Sequence, residues 1–209
     1  MGSMADSTIL LIDRGDLPSL TAISMVPDPT QLILWHPLEP DKAAPSRRTV
    51  CEGHTDALGV MRLIVNDPGN SGIAEMSPPA MLFHAQMLVQ AAMLACQINC
   101  SKIIWPQQIG PDFQRMGEAV DLAHMVMGLA SGGHQAGFEP GEFIIDLPLI
   151  DLTDEQVVDL ADVSGGLMEL FWPCEDDREM PCGTCHECLR WEKAFQAVNV
   201  DWPWVAVGT

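Results

Sequence analysis

Positive charge is scarce in this chain. Lysine and arginine number 10 against 29 aspartates and glutamates, a formal net charge of −19, and only Lys42, Lys102 and Lys193 are lysines. Such a surface repels phosphate backbones and anionic lipids, which argues against nucleic acid and membrane as partners. Long apolar runs are missing too: none reaches the ~18 residues of a membrane span. No secretory leader is apparent; the chain opens Met-Gly-Ser-Met, with Met4 read as the native start. The expectation is a cytoplasmic protein with reduced cysteines. What is present is hydrophobic content of 47% over 209 residues. That suffices for the core of one α/β domain.

Four of the seven cysteines crowd into one segment: Cys174, Cys182, Cys185 and Cys188, spaced C-x7-C-x2-C-x2-C. Four thiolates so spaced suit tetrahedral Zn²⁺. An odd cysteine count weighs against two disulfides, and the acidic neighbours Glu175, Asp176, Asp177 and Glu179 weigh against free core thiols. With four ligands the site is closed to water and substrate, so the expected zinc is structural. Gly183 allows a tight turn that aims amides at the sulfurs. Arg178 and Arg190 are expected to offset the charge of the cluster. The following LRWEKAFQAV reads as a short amphipathic helix whose positive end faces it.

Along the chain, strands are expected at Thr8–Ile12, Gln31–Trp35, Ser101–Trp105, Glu142–Ile145 and Leu167–Trp172. Helices are expected at about Thr49–Ile64, Pro79–Ile98, Asp112–Ala130 and Thr153–Val163. Asn66 to Pro78 is a loop by composition. The alternation gives a parallel sheet with helices on both faces. Residues 4–166 form the α/β domain, and 167–209 a zinc-binding segment of the same compact unit. The helix at 79–98 is apolar nearly all round, and the tail carries Trp202 and Trp204. Both features point to a homodimer or a protein partner, with the tail docked on the body or on that partner. Cys51, His54 and Asp56 lie close in sequence but read as ordinary surface or core residues. Cys96 and Cys100 read as buried hydrophobes. Ser131-Gly132-Gly133 and Ser164-Gly165-Gly166 follow helices and read as helix ends, not phosphate loops.

The run PCGTCHECLRWEKAF resembles the C-terminal zinc segment of the 7-cyano-7-deazaguanine synthases, PP-loop ATP pyrophosphatase-like enzymes of queuosine biosynthesis. Leu147 to Thr153 and the DEQVVDLADV after them resemble that family's approach to the zinc loop, so the resemblance covers about residues 143–198. It implies a HUP-like three-layer α/β/α fold. It also implies a first strand running into an S-G-G-x-D-S loop that cradles ATP phosphates, and conversion of 7-carboxy-7-deazaguanine to its nitrile with ATP and ammonia. The loop is lacking here. In its place stands Asp13-Arg14-Gly15-Asp16-Leu17-Pro18-Ser19, with one glycine, two carboxylates where phosphate would sit, and a proline without an amide donor. The expectation is a zinc-stabilised family member with no catalytic or nucleotide-binding residues, which acts by binding a partner or a small ligand. The alternative is an ATP-dependent nitrile synthase whose phosphate site another chain completes.

Overall fold

A computed structural model describes residues 8–37, 41–65, 80–132, 142–165 and 167–204. Five strands, β1 (Ile9–Ile12), β2 (Leu32–His36), β3 (Arg62–Val65), β4 (Lys102–Ile104) and β5 (Ile144–Asp146), form one sheet in the order β3-β2-β1-β4-β5. All four pairings are parallel. The helices are α1 (Leu17–Ser24), α2 (Ala44–Leu58), α3 (Ala80–Ile98), α4 (Phe113–Ser131), α5 (Asp154–Val163) and α6 (His186–Ala197).

Strand side chains alternate between two cores, as a period of two requires. Leu10, Ile12, Ile33, Trp35 and Ile103 pack with α3 and α4 through Met87, Leu88, Ala91, Leu122 and Val126. Leu11, Leu32, Leu34 and Ile104 face the other way, onto Ala22 and Ile23 of α1. A third cluster joins α1, α5 and α6 through Leu17, Leu20, Val157, Val158, Phe171, Trp191 and Phe195. The result is the three-layer α/β/α arrangement, with α6 backing α5. The segment after residue 167 shares this cluster with α1 and α5.

Two expectations are corrected. The helix placed at Thr49–Ile64 begins at Ala44, with a proline in its first turn, and ends at Leu58, where Gly59 adopts a left-handed φ of 68°. Ile64 therefore belongs to β3, and Met61 is 53% exposed rather than core. The buried face of α2 is Ser46, Cys51 and His54, so its pattern is not apolar. Leu167–Trp172 is not a strand. Its amides are taken elsewhere, Leu170 N by Leu167 O and Trp172 N by Gly15 O at 2.8 Å, so it closes on the turn after β1. On α3, Met87, Leu88, Ala91 and Ala95 are covered, while Leu82, Val89 and Met93 face outward.

The loop expected at Asn66–Pro78, Gly133 of the first Ser-Gly-Gly run and Gly166 of the second lie outside the described residues. Trp202 and Trp204 dock on the body, where both contact Phe171 edge-on. No described helix is long and apolar enough to cross a membrane.

Candidate metal centre and the crevice beside it

The four sulfurs of Cys174, Cys182, Cys185 and Cys188 lie within 4.8 Å of one another, and no cysteine of the chain is in a disulfide. Cys182 and Cys188 Sγ are 4.0 Å apart. A tetrahedron of metal–sulfur bonds near 2.3 Å would set them at ~3.8 Å, so the cage has the size a metal needs. The backbone supports it. Thr184 N and Cys185 N donate to Cys182 Sγ at 3.4 and 3.2 Å, Cys182 N to Cys174 Sγ and Cys188 N to Cys185 Sγ at 3.5 Å each. Gly183 makes the turn at φ +67°. The hydroxyl and amide of Thr184, with the amide of Cys185, lower the Cys182 thiol to about 6. Burial instead raises Cys174 and Cys188 above the ordinary thiol value. Cys185 is the N-cap of α6, so the helix's positive end faces the thiols as expected. The donors present fit a thiolate-bound metal.

The two arginines expected beside the cluster go elsewhere. Arg178 bonds Asp176 at the surface. Arg190 forks onto Asp154 through Nε and Nη2 at 2.8 and 2.6 Å, bonds Glu187 and donates to Gln108 Oε1. Burial works against ionisation of Asp154, but these bonds hold its carboxyl below the usual range. The pair bolts α6 to the start of α5.

β1 is the point where the strand order reverses, so a crevice opens beyond the C-terminal ends of β1 and β4. It contains a cavity of about 290 Å³ between the turn after β1, the loop after β4, α2 and α6. In a nucleotide-binding version of such a site, free amides of the first turn would point at phosphate. Here the chain's own oxygens hold three of them. Gly15 N donates to Asp13 Oδ1 at 2.9 Å, Arg14 N to Ser19 Oγ at 3.0 Å, and Ser19 N to Asp16 Oδ1 at 3.0 Å. Leu20 N bonds Asp16 O, and Pro18 has no amide. The N-cap of α1 is Asp16, ahead of Ser19. Gly15, at φ +67°, lies so close to α2 that a Cβ would meet Arg47 O at 2.6 Å.

The two carboxylates of this turn differ from expectation in one respect. Asp16 lines the cavity, 3.7 Å from Arg14. Asp13 points inward, fully buried, with Oδ2 2.8 Å from Nδ1 of the equally buried His54. His54 Nε2 lies 2.6 Å from Leu170 O. Both ring nitrogens meet acceptors, so both donate and the ring is an imidazolium. Burial opposes ionisation of each partner, yet their mutual charge and hydrogen bonds hold Asp13 below its ordinary value and His54 above. Cys51 completes the group, its sulfur 3.3 Å from His36 Nδ1, which also bonds Asp13 O at 2.8 Å. Asp13, Cys51 and His54 lie close enough for a metal, but neither nitrogen of His54 keeps a lone pair for one. The i, i+3 pair Cys51 and His54 was visible in sequence. Its partner is Asp13, 41 residues away, and Asp56 is exposed.

A family model described as "Queuosine biosynthesis protein QueC" matches residues 85–199. That span holds β4, β5, α4, α5, α6 and all four clustered cysteines, and it begins after the turn that follows β1. A 7-cyano-7-deazaguanine synthase of Methanobrevibacter smithii is 36% identical over 64 residues, 31% of this chain and 28% of the relative. The enzyme of the same name from Methanosarcina barkeri is 36% identical over 56 residues, 27% of this chain and 24% of the relative. The chain thus matches less than a third of the length of these relatives. An NMN synthetase of Francisella tularensis shares the fold at a TM-score of 0.50 and 12% identity, over 94% of this chain and 79% of its own.

Proposed function

The chain belongs to the QueC family, and on that premise we propose that it is a zinc-stabilised member that has lost ATP chemistry and acts by binding a ligand or partner. One observation carries the reading: the amides of Gly15, Ser19 and Arg14, three that a phosphate loop would present, are bonded to Asp13, Asp16 and Ser19 of the same turn. ATP phosphate would have to displace two carboxylates, one of them locked in a buried ion pair. The buried pair stands in place of the repulsion the sequence suggested for Asp13. The block lies in occupied donors and a rigid turn.

Zinc is the metal the cage favours. Four sulfur donors in a closed tetrahedron suit Zn²⁺, which has no redox chemistry to lose in a structural role. Cys174, Cys182, Cys185 and Cys188 would hold it, and it would fix the approach to α6. Residues 4–166 and 167–209 would act as one unit in the reducing cytoplasm, where thiolates persist. The outward apolar residues of α3 support self-association as a homodimer.

The second reading is the activity named for the curated relatives, a 7-cyano-7-deazaguanine synthase. The cavity at the strand ends favours it, because that is where this class of sheet binds ligands. The test is a calorimetric titration of zinc-loaded protein with Mg-ATP, with pyrophosphate release measured in the presence of a deazapurine acid. No release, and binding weaker than about 100 μM, is expected. Tighter binding or turnover would promote the synthase reading.

A further inference from the structure

A second cavity, of about 120 Å³, lies between α3, α4 and the loop after β4, and adjoins the crevice at Gln107 and Arg115. Trp105 lines it and is 1% exposed. The indole is held in place: its backbone amide bonds Asp146 O at 2.8 Å, and His84 packs edge-on with ring centroids 5.6 Å apart. Yet Trp105 Nε1 meets no acceptor among the described residues. Gln107 Oε1, also buried, meets no donor there, although the other end of that amide donates to Gln108 O at 3.2 Å. A buried donor and a buried acceptor left open are costly unless something meets them. One face of α4 adds two charges, since Arg115, Glu118 and Leu122 recur at helical spacing and line the same space. Residues three apart on a helix are neighbours, with Cβ atoms about 5–6 Å apart. Among the described residues, however, Arg115 and Glu118 form no ion pair, and Glu118 accepts from Gln114 instead.

We propose that this cavity binds a small free α-amino acid as its zwitterion. Two donors, the Arg115 guanidinium and Trp105 Nε1, suit the carboxylate. Two acceptors, the Glu118 carboxylate and Gln107 Oε1, suit the ammonium. The charges of Arg115 and Glu118 cancel, so the wall has no excess of either sign to draw a simple anion or a simple cation. A molecule that carries both charges on neighbouring atoms meets both side chains at once. Ile109 and Leu122 give its side chain an apolar wall. The volume is well below the ~300–1,000 Å³ of sites for drug-sized ligands, which excludes a nucleoside and admits a molecule of few heavy atoms, such as glycine, alanine or serine.

This inference rests on the reading that the chain acts by binding a ligand, and its test keeps that apart from the loss of ATP chemistry. Zinc-loaded full-length protein is titrated calorimetrically with L-alanine, propionate and ethylamine, and separately with Mg-ATP. Propionate and ethylamine each carry one half of the zwitterion. Alanine should bind with a Kd below about 1 mM, and each half at least about tenfold more weakly. Arg115→Gln and Glu118→Gln should each weaken alanine binding at least about tenfold. Both side chains are exposed, so neither change touches the core, and circular dichroism checks the fold. Arg48→Gln, on α2 and outside the cavity, should leave binding unchanged. No binding of alanine up to about 10 mM would assign the space to water and overturn the proposal. Propionate or ethylamine binding as tightly as alanine would also overturn it, as would cavity variants that lose no more than Arg48→Gln. Each of these results leaves the loss of ATP chemistry standing. Mg-ATP binding tighter than about 100 μM would overturn that loss and leave the amino-acid site standing.

Discussion

The carboxylate of Asp13 lies 2.8 Å from Nδ1 of His54 with neither side chain open to solvent, so the turn after β1 is tied to α2 by a buried ion pair. Removing one partner of such a pair leaves an uncompensated buried charge. His54→Ala should therefore cost about 3–5 kcal/mol in urea denaturation. Asp13→Asn should cost a similar amount. The double variant should lose less than the sum, since each change removes the same interaction.

The same pair sets a pH window. His54 is raised above 6.5 in the folded state, so its contribution is full below that value and fades as pH climbs through the raised one. Asp13 is lowered below 3.8, so its contribution is full above that value and fades as pH falls through the lowered one. The pair therefore supports folding most strongly between about pH 3.8 and 6.5. Denaturation midpoints measured across pH should show an alkaline decline that His54→Gln flattens. An unchanged slope would mean the ring is neutral in the fold.

Much of this was legible in the sequence, and what was not has a physical cause. The cysteine cluster could be read because its four members are close in sequence and their spacing suits a metal. The central strands could be read because buried parallel strands are continuous apolar runs, as in Leu32–Trp35. That no S-G-G-x-D-S run follows the first strand was equally plain. The Asp13–His54 pair was hidden because it joins residues 41 apart. α2 was misplaced because its inward face is Ser46, Cys51 and His54, which no hydrophobic period marks. β3 is four residues long and partly exposed, too short and too wet to separate from the helix before it. Arg190 was drawn to the cysteines by proximity in the chain, whereas Asp154 and Gln108 hold it.

Metal content is the direct check on the cysteine cluster. Protein purified without chelator should carry one zinc per chain by atomic absorption. Cys185→Ser should lose it, because Cys185 is both a ligand and the N-cap of α6. Zinc bound by four thiolates contributes on the order of 10 kcal/mol of binding, only part of which appears as stability of a fold built elsewhere. A loss of ~3 kcal/mol would lower Tm by about 6–12 °C at this chain length. Iron in place of zinc, or an unchanged Tm, would count against the assignment.

Self-association rests on α3 alone, since the tryptophan tail is used internally. Leu82, Val89 and Met93 repeat at helical spacing and are 61%, 38% and 59% exposed. Light scattering should give a dimer at micromolar concentration. Met93→Glu should shift it to monomer with little change in Tm, because the side chain is not part of the core. A wild-type monomer would assign that stripe to another protein or to none.

Partial repair of the phosphate turn should fail, and the reason is specific to where its amides go. Asp16→Gly with Pro18→Ala restores one missing amide and frees Ser19 N. It leaves Gly15 N on Asp13 and Arg14 N on Ser19 Oγ. It also replaces the N-cap Asp16 of α1 by glycine, which should cost about a few tenths of a kcal/mol. Releasing Gly15 N as well requires replacing Asp13, and that breaks the buried pair with His54. Stability and nucleotide binding therefore oppose each other at this turn. The double variant should be less stable by that margin and still bind Mg-ATP no better than about 1 mM. If it bound at 100 μM or tighter, the block would lie in Asp16 and Pro18 alone, and the Asp13–His54 lock would be incidental to the loss of ATP.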